Sequence, residues 1–261
     1  MFSLFKPLMS VMVAGTLASS VSVAGESTQG RPTIVLVHGA FAESSSWNQV
    51  IAELDAKRYT TIAVANPLRG VKSDADYVAR VVRSIEGAVV LVGHSYGGFI
   101  ISSVARESPN VKALVYVAAF APENGETAAQ LSRQFPGSTL GAALAAPVAL
   151  ADGGKDLYIR QDKLPAQFAA DIPLQDAKLL AATQRPITEA ALNEGAGPPA
   201  WKATPSWFIY GDQDRNIPAA AMEFMAKRAQ ARSSVVIHGA SHVVMVSHPR
   251  EVADLIAAAA Q

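Results

Sequence analysis

The stretch Ala88-Val-Val-Leu-Val-Gly-His-Ser95-Tyr-Gly-Gly98, followed by Phe99-Ile-Ile-Ser-Ser-Val-Ala105, decides the class of fold. Its first half is an unbroken aliphatic run, the pattern of a strand buried on both faces in a parallel sheet. Its last part reads as an apolar helix. Between them Gly93-x-Ser95-x-Gly97 leaves room only for a turn so tight that Ser95 must take strained backbone angles. A Cβ at Gly93 or Gly97 would collide with the turning chain, and Gly98 is expected to let the helix pack close to the sheet. A serine held this way presents its hydroxyl at the end of a buried strand, where it can serve as a nucleophile. The alternative is a glycine-rich turn in which Ser95 merely caps the helix.

Around this unit strands and helices alternate. Strands are predicted at Thr33–His38, Thr60–Val64, Ala88–Val92, Val111–Ala118, Ser206–Tyr210 and Ser234–Ile237. Helices are predicted from a capping box at Ser46-Trp-Asn-Gln49 through Leu54, at Asp74–Ile85 after Ser73, and at Phe99–Arg106, Ala219–Ala229 and Pro249–Ala260. Such alternation predicts an α/β fold with a doubly wound, mainly parallel sheet of about six strands. In a parallel sheet the loops after the strands gather at one edge. An acid and a histidine sit in such loops beside Ser95: Gly211-Asp-Gln-Asp214 follows one late strand, and Gly239-Ala-Ser-His242 follows the last.

Residues 120–204 break the rhythm, with prolines at 122, 136, 147, 165, 173, 186, 198 and 199, short helical patches and no convincing buried strand. Inserted between two core strands at the edge that carries Ser95, this segment is expected to form a helical cap, with a structural excursion as the alternative. The core would then be residues 25–119 and 205–261. Phe120, Phe135, Leu164, Phe168, Leu174 and Trp201 are candidate pocket walls, and each is equally able to pack the cap onto itself; Phe41 is a candidate from the core.

Serine is a weak nucleophile unless an imidazole takes its proton as attack proceeds. Of five histidines, His38 follows the first strand and is expected to hold the loop after it. His94 lies inside the elbow, its side chain aimed away from the nucleophile. His238 ends a strand and His248 precedes Pro249, so both read as structural. His242 lies in a loop after the final strand. The partner acid is Asp214 or Asp212, with Glu123 as a third candidate. An oxyanion formed at Ser95 needs two main-chain donors, expected from Tyr96 at the start of the helix and from Ala40 after His38-Gly39.

Composition narrows the partners. Twenty-two basic residues balance 22 acidic ones, so no nucleic acid is expected as a partner. No Rossmann or P-loop glycine pattern and no clustered ligand set is present, so neither a cofactor nor a metal is implied; His238 and His242 span a strand end and a turn, not one helix face. There are no cysteines. The first residues read as a secretory signal, residues 1–24, with a weakly basic start, an apolar run from Leu8 to Leu17 and Ser22-Val-Ala24 at the cleavage site. That run is too short to span a bilayer, which takes about 20 residues. A secreted or periplasmic protein without stable membrane insertion is therefore expected.

Four motifs, Val37-His38-Gly39-Ala40-Phe41, Gly93 to Gly98, Gly211-x-x-Asp214 and Gly239-x-x-His242, together resemble the α/β-hydrolases. More narrowly, they are similar to small cap-bearing serine esterases related to the hydroxynitrile-lyase and plant salicylate-esterase group. The order Ser…Asp…His along the chain is the one this fold uses. The resemblance implies Asp214 as the acid and His242 as the base. It further implies hydrolysis of a carboxylic ester through an acyl-enzyme, and the weakly charged cap suggests an uncharged, fairly apolar small-molecule substrate. Two other readings stand beside it: a hydroxynitrile-lyase-type enzyme, or a receptor-like protein that binds a ligand with little turnover. Lyases of that type carry a lysine near the catalytic site and a threonine near the oxyanion loop. Here Val243 and Val244 follow the histidine, and no such threonine is evident in His38–Phe41. Dehalogenases and epoxide hydrolases of this fold would need an aspartate where Ser95 stands.

Overall fold

A computed structural model of the protein describes residues 1–2 and 30–261. The expected signal segment, apart from its first two residues, lies outside the described residues. Six parallel strands form the central sheet: β1 (Thr33–Val37), β2 (Thr61–Val64), β3 (Val89–His94), β4 (Val111–Val117), β8 (Ser206–Gly211) and β9 (Ser233–Ile237). Their order is β2-β1-β3-β4-β8-β9. The four innermost strands are the most buried, as cover on both faces requires: every side chain of β3 is buried. The edge strand β9 alternates between half-buried and exposed residues. Helices α1 (Asn48–Ala56), α2 (Val71–Arg83), α3 (Gly97–Val104), α9 (Ala219–Arg228) and α11 (Pro249–Ala259) alternate with the strands in the core. Among the described residues no helix is long and apolar enough to cross a membrane.

Three helix starts differ from the sequence expectation, among them α3, which begins at Gly97 and not at Phe99. Ser46 caps nothing: its hydroxyl donates to the Glu43 carbonyl within a 3-10 turn over Ser44–Trp47, and α1 begins only at Asn48. Helix α2 begins at Val71, three residues earlier than expected. Its free amides at Val71 and Lys72 donate to the Glu194 carboxylate, at 2.7 and 3.0 Å, from 122 residues or more along the chain. An anion there satisfies orphan amides and meets the positive end of the helix dipole.

Residues 120–204 hold α4 (Ala128–Gln134), α5 (Leu140–Ala143), α6 (Leu164–Phe168), α7 (Leu174–Thr183) and α8 (Glu189–Asn193). The expectation of no convincing buried strand here is corrected. Val148–Ala149, Lys155–Leu157 and Ile187–Thr188 (β5, β6, β7) form a small antiparallel sheet in the order β5-β6-β7. Each is only two or three residues long, below the length at which periodicity is readable.

Candidate active site

The elbow after β3 is fixed by neighbours on both sides. Ser95 has φ of +54°, a left-handed conformation that a non-glycine residue keeps only when its surroundings hold it there. Its amide donates to the Val117 carbonyl (3.3 Å), and its carbonyl accepts from Gly98 (3.0 Å) and Phe120 (3.2 Å). The glycines answer to contact distance. A Cβ on Gly97 would lie 2.5 Å from the Val37 carbonyl oxygen. One on Gly98 would lie 1.9 Å from that of Phe120, so the close approach at Gly98 is to the chain leaving β4.

Loops from the ends of β8 and β9 converge on this serine. His242 Nε2 is 2.9 Å from Ser95 Oγ, and its Nδ1 is 2.5 Å from Asp214 Oδ2. The other carboxylate oxygen accepts from the amides of Asn216 (2.7 Å) and Ile217 (3.0 Å). With a carboxylate opposite it, Nδ1 carries the ring proton and Nε2 is left free to accept from the serine hydroxyl. All three side chains are buried. Asp212 stands apart, bonded to His238 and to the Gly239 amide, where it ties the turn after β9. Glu123 pairs with Lys202 near the surface. Of the three candidate acids, only Asp214 reaches His242.

The loop after β1 lies directly over Ser95. Asn66 donates its amide to His38 Nε2 (3.0 Å) and its side chain to the His38 carbonyl (3.0 Å). An acceptor at Nε2 puts the proton on Nδ1, which donates to the Gly39 carbonyl at 2.9 Å. That carbonyl and the Ala40 N–H belong to one rigid trans peptide and point in opposite directions, so this bond sets the direction of the Ala40 donor. Among the described residues, the amides of Ala40 and Tyr96 have no hydrogen-bond acceptor, and both residues line the cavity at Ser95. Burial holds the His38 ring below the usual histidine pKa. Tyr96 is anchored by its hydroxyl, which donates to Asp74 Oδ2 at 3.1 Å.

His94 has a larger part than its sequence position suggests. Its Nε2 donates to the His242 carbonyl at 3.1 Å, and the two rings lie 4.8 Å apart. Burial lowers its pKa well below the ordinary value, and the adjacent imidazole of His242 adds to this, so His94 stays neutral. Phe168 meets His242 edge-on at 4.9 Å. Gln167 bonds to the Arg215 carbonyl (2.8 Å) and to Asn216 (3.2 Å), beside the acid. Asn66, Gln167 and the reach of His94 carry no local sequence signal, because their partners lie 28 to 148 residues away.

A cavity of about 800 Å³ opens at Ser95 and His242. Its walls include Ala40, Phe41, Phe120, Phe135, Phe168 and Ile217, and no lysine is among its lining residues. Trp201, a sequence candidate, is not in the wall. Its indole N–H donates to the Pro122 carbonyl at 3.0 Å, and the Arg228 guanidinium covers its ring. Leu164 is fully buried in packing and Leu174 is exposed, so neither lines the cavity.

Known proteins can be set beside this geometry. The chain is similar to a pyrethroid hydrolase of Sphingobium wenxiniae, 27% identical over 246 residues and covering 86% of each chain. It is similar as well to a pimeloyl-[acyl-carrier protein] methyl ester esterase of Xanthomonas campestris, 27% identical and covering 86% of this chain and 93% of the other. Among solved structures, polyneuridine aldehyde esterase superposes with a TM-score of 0.77 at 17% identity, covering 88% of this chain and 100% of that one. The profile of the alpha/beta hydrolase family matches residues 34–255, nearly all of the described chain, and the protein belongs to that family.

Proposed function

We propose that the protein is a serine hydrolase that cleaves carboxylic esters of a small, uncharged and fairly apolar molecule. The observation that carries this reading is the hydrogen-bonded chain Ser95–His242–Asp214 opening into a largely apolar cavity. The Ser95 oxygen attacks the ester carbonyl as His242 Nε2 takes its proton, and Asp214 stabilises the imidazolium that results. The tetrahedral oxyanion is received by the Ala40 and Tyr96 amides, which have no other acceptor among the described residues and cost no reorganisation. His242 then returns the proton to the leaving alcohol, giving an acyl-enzyme and free alcohol. Water, activated by the same imidazole, releases the acid. Similarity to the pyrethroid hydrolase and the methyl ester esterase supports ester hydrolysis. So does a cavity wall without the lysine that the lyase alternative calls for.

The segment 120–204 acts here as a cap that selects the ester. Residues 1–24 are proposed as a cleaved signal that sends the protein out of the cytoplasm; N-terminal sequencing of the mature protein should begin at Gly25. A p-nitrophenyl ester series of rising chain length, followed by bulky aromatic esters, tests the activity. Turnover that vanishes in Ser95→Ala and in His242→Ala supports the reading. No turnover of any ester by the folded protein, or no loss in Ser95→Ala, refutes it.

A further inference from the structure

The loop that presents Ala40 is held from two directions, and one of them is the inserted segment. On one side His38 fixes the Gly39–Ala40 peptide. On the other, the Phe41 amide donates to the Arg185 carbonyl at 3.0 Å. Arg185 comes from the short connection between α7 and β7. Two residues beyond Phe41, the Glu43 carboxylate takes Nε and Nη2 of the same arginine at 3.0 and 3.2 Å. The planar guanidinium therefore grips the loop in a two-point fork, which fixes orientation as well as distance.

Arg185 is itself held in place. Gln184 binds Ile159 in both directions at 2.9 Å. The Pro186 carbonyl accepts from Arg69 at 3.0 Å, and Thr188 donates its amide to Leu68 and its hydroxyl to Arg69. Residues 184–188 thus form a strap from the insertion to the loops after β1 and β2.

What this strap secures is a strained turn. Phe41 has φ of +60°, a left-handed conformation that a non-glycine residue keeps only where neighbours impose it. The peptide planes on either side of the Ala40 α-carbon are each pinned by a hydrogen bond, one to His38 and one to Arg185. Freeing the second plane would leave the Ala40 donor held by the His38 bond alone. As a source of stability the half-exposed Arg185–Glu43 pair is worth little. Its geometric effect falls on the donor.

We propose that Arg185 is a positioning residue for the oxyanion hole: its guanidinium, forked on the Glu43 carboxylate, keeps its main-chain carbonyl on the Phe41 amide and so helps to hold the Ala40 donor in line. The proposal rests on the ester-hydrolase reading above. It makes the insertion a working part of the reaction centre in addition to a wall of the pocket.

Arg185→Ala, Arg185→Lys and Glu43→Gln test it through two ligands. An alkylboronic acid forms a tetrahedral adduct on Ser95 and occupies the oxyanion hole, whereas the alcohol product has no carbonyl oxygen to place there. Complete loss of a hole donor costs about a hundred- to a thousandfold in kcat, so a misaligned one in Arg185→Ala should cost about tenfold or more. Boronate affinity should fall by a similar factor, with KM and product affinity within about twofold of wild type. Arg185→Lys and Glu43→Gln should shift the same quantities less, and they carry the comparison if Arg185→Ala does not fold. Three variants with lowered Tm but unchanged kcat and boronate affinity would overturn the proposal, as would equal losses for boronate and product. A wild-type protein that turns over no ester and captures no boronate would overturn this proposal and the function together.

Discussion

At Ser95 and Asp214 the physics is that of single atoms. Removing the Ser95 oxygen takes away the bond-forming group while changing no packing of consequence. Ser95→Ala should therefore lose roughly a million-fold in kcat, the scale seen when a triad nucleophile is deleted, with an unchanged Tm. Residual activity near wild type in a steady-state assay would assign the nucleophile elsewhere. The two neighbouring aspartates make a sharper comparison. Asp214 holds the His242 tautomer from inside the protein, whereas Asp212 ties a surface turn. Asp214→Asn presents a donor to Nδ1 and favours the wrong tautomer, a change worth up to about ten-thousandfold in a serine triad. Asp212→Asn should leave kcat/KM nearly unchanged. Opposite ranks in matched assays would reassign the acid.

The inserted segment shows how elements divide the work. Phe135 lines the cavity away from His242, so Phe135→Ala should change relative kcat/KM among acetyl, octanoyl and bulky aromatic esters by about 1–3 kcal/mol. Phe168 both lines the cavity and packs against His242. Phe168→Ala should alter selectivity and also slow labelling of Ser95 by a small organophosphate. Trp201 lies in packing, so Trp201→Ala should cost about 3–5 kcal/mol of stability and leave the order of preferred esters as it was. Equal proportional losses for every ester in Phe135→Ala would remove that residue from the specificity surface. Helix α2 offers a test without catalysis. Glu194→Ala deletes its cap and should cost about 1 kcal/mol in chemical denaturation.

Buried histidines make the stability of the whole molecule depend on pH. Burial lowers the pKa of both His38 and His94 in the folded state. Their unfolded counterparts titrate near pH ~6.5, so below that pH the unfolded chain binds protons that the folded chain refuses. Their contribution is complete above about pH 6.5 and is lost as pH falls, by up to about 1.4 kcal/mol per pH unit for each ring. Asp74, whose carboxyl burial raises, acts in the opposite direction and favours the fold as pH drops. Urea unfolding between pH 7.5 and 5 should show ΔG falling with acid, and His94→Asn should reduce the slope. An unaltered slope in that variant would mean that His94 is not the proton-refusing group.

The sheet and the reacting groups were readable along the chain because each rests on local or periodic information. An aliphatic run can be seen residue by residue in Val89–Val92, and the tightness of a turn is spelled by Gly93, Gly97 and Gly98. Strand-then-loop spacing delivered Asp214 and His242 to the edge that holds Ser95, since parallel strands leave their carboxyl ends together. Choosing Asp214 over Asp212 needed the family pattern, because two residues of separation in a loop leave direction undetermined. Contacts that join distant segments had no trace in the sequence. Glu194 capping α2, Asn66 fixing the His38 tautomer, Gln167 reaching the acid loop, Arg185 pinning Phe41 and the two-residue strands of the insertion all arise only when the folded chain brings their partners together. A hydrogen bond needs two groups within about 3 Å, and when those groups are separated by 28 to 148 residues nothing in the neighbourhood of either announces the other. Periodicity and turn chemistry are properties of consecutive residues, and so they marked Ser95, His242 and the loop that carries both Asp212 and Asp214. Tertiary packing alone set which side chains line the cavity and which hold the donors in line.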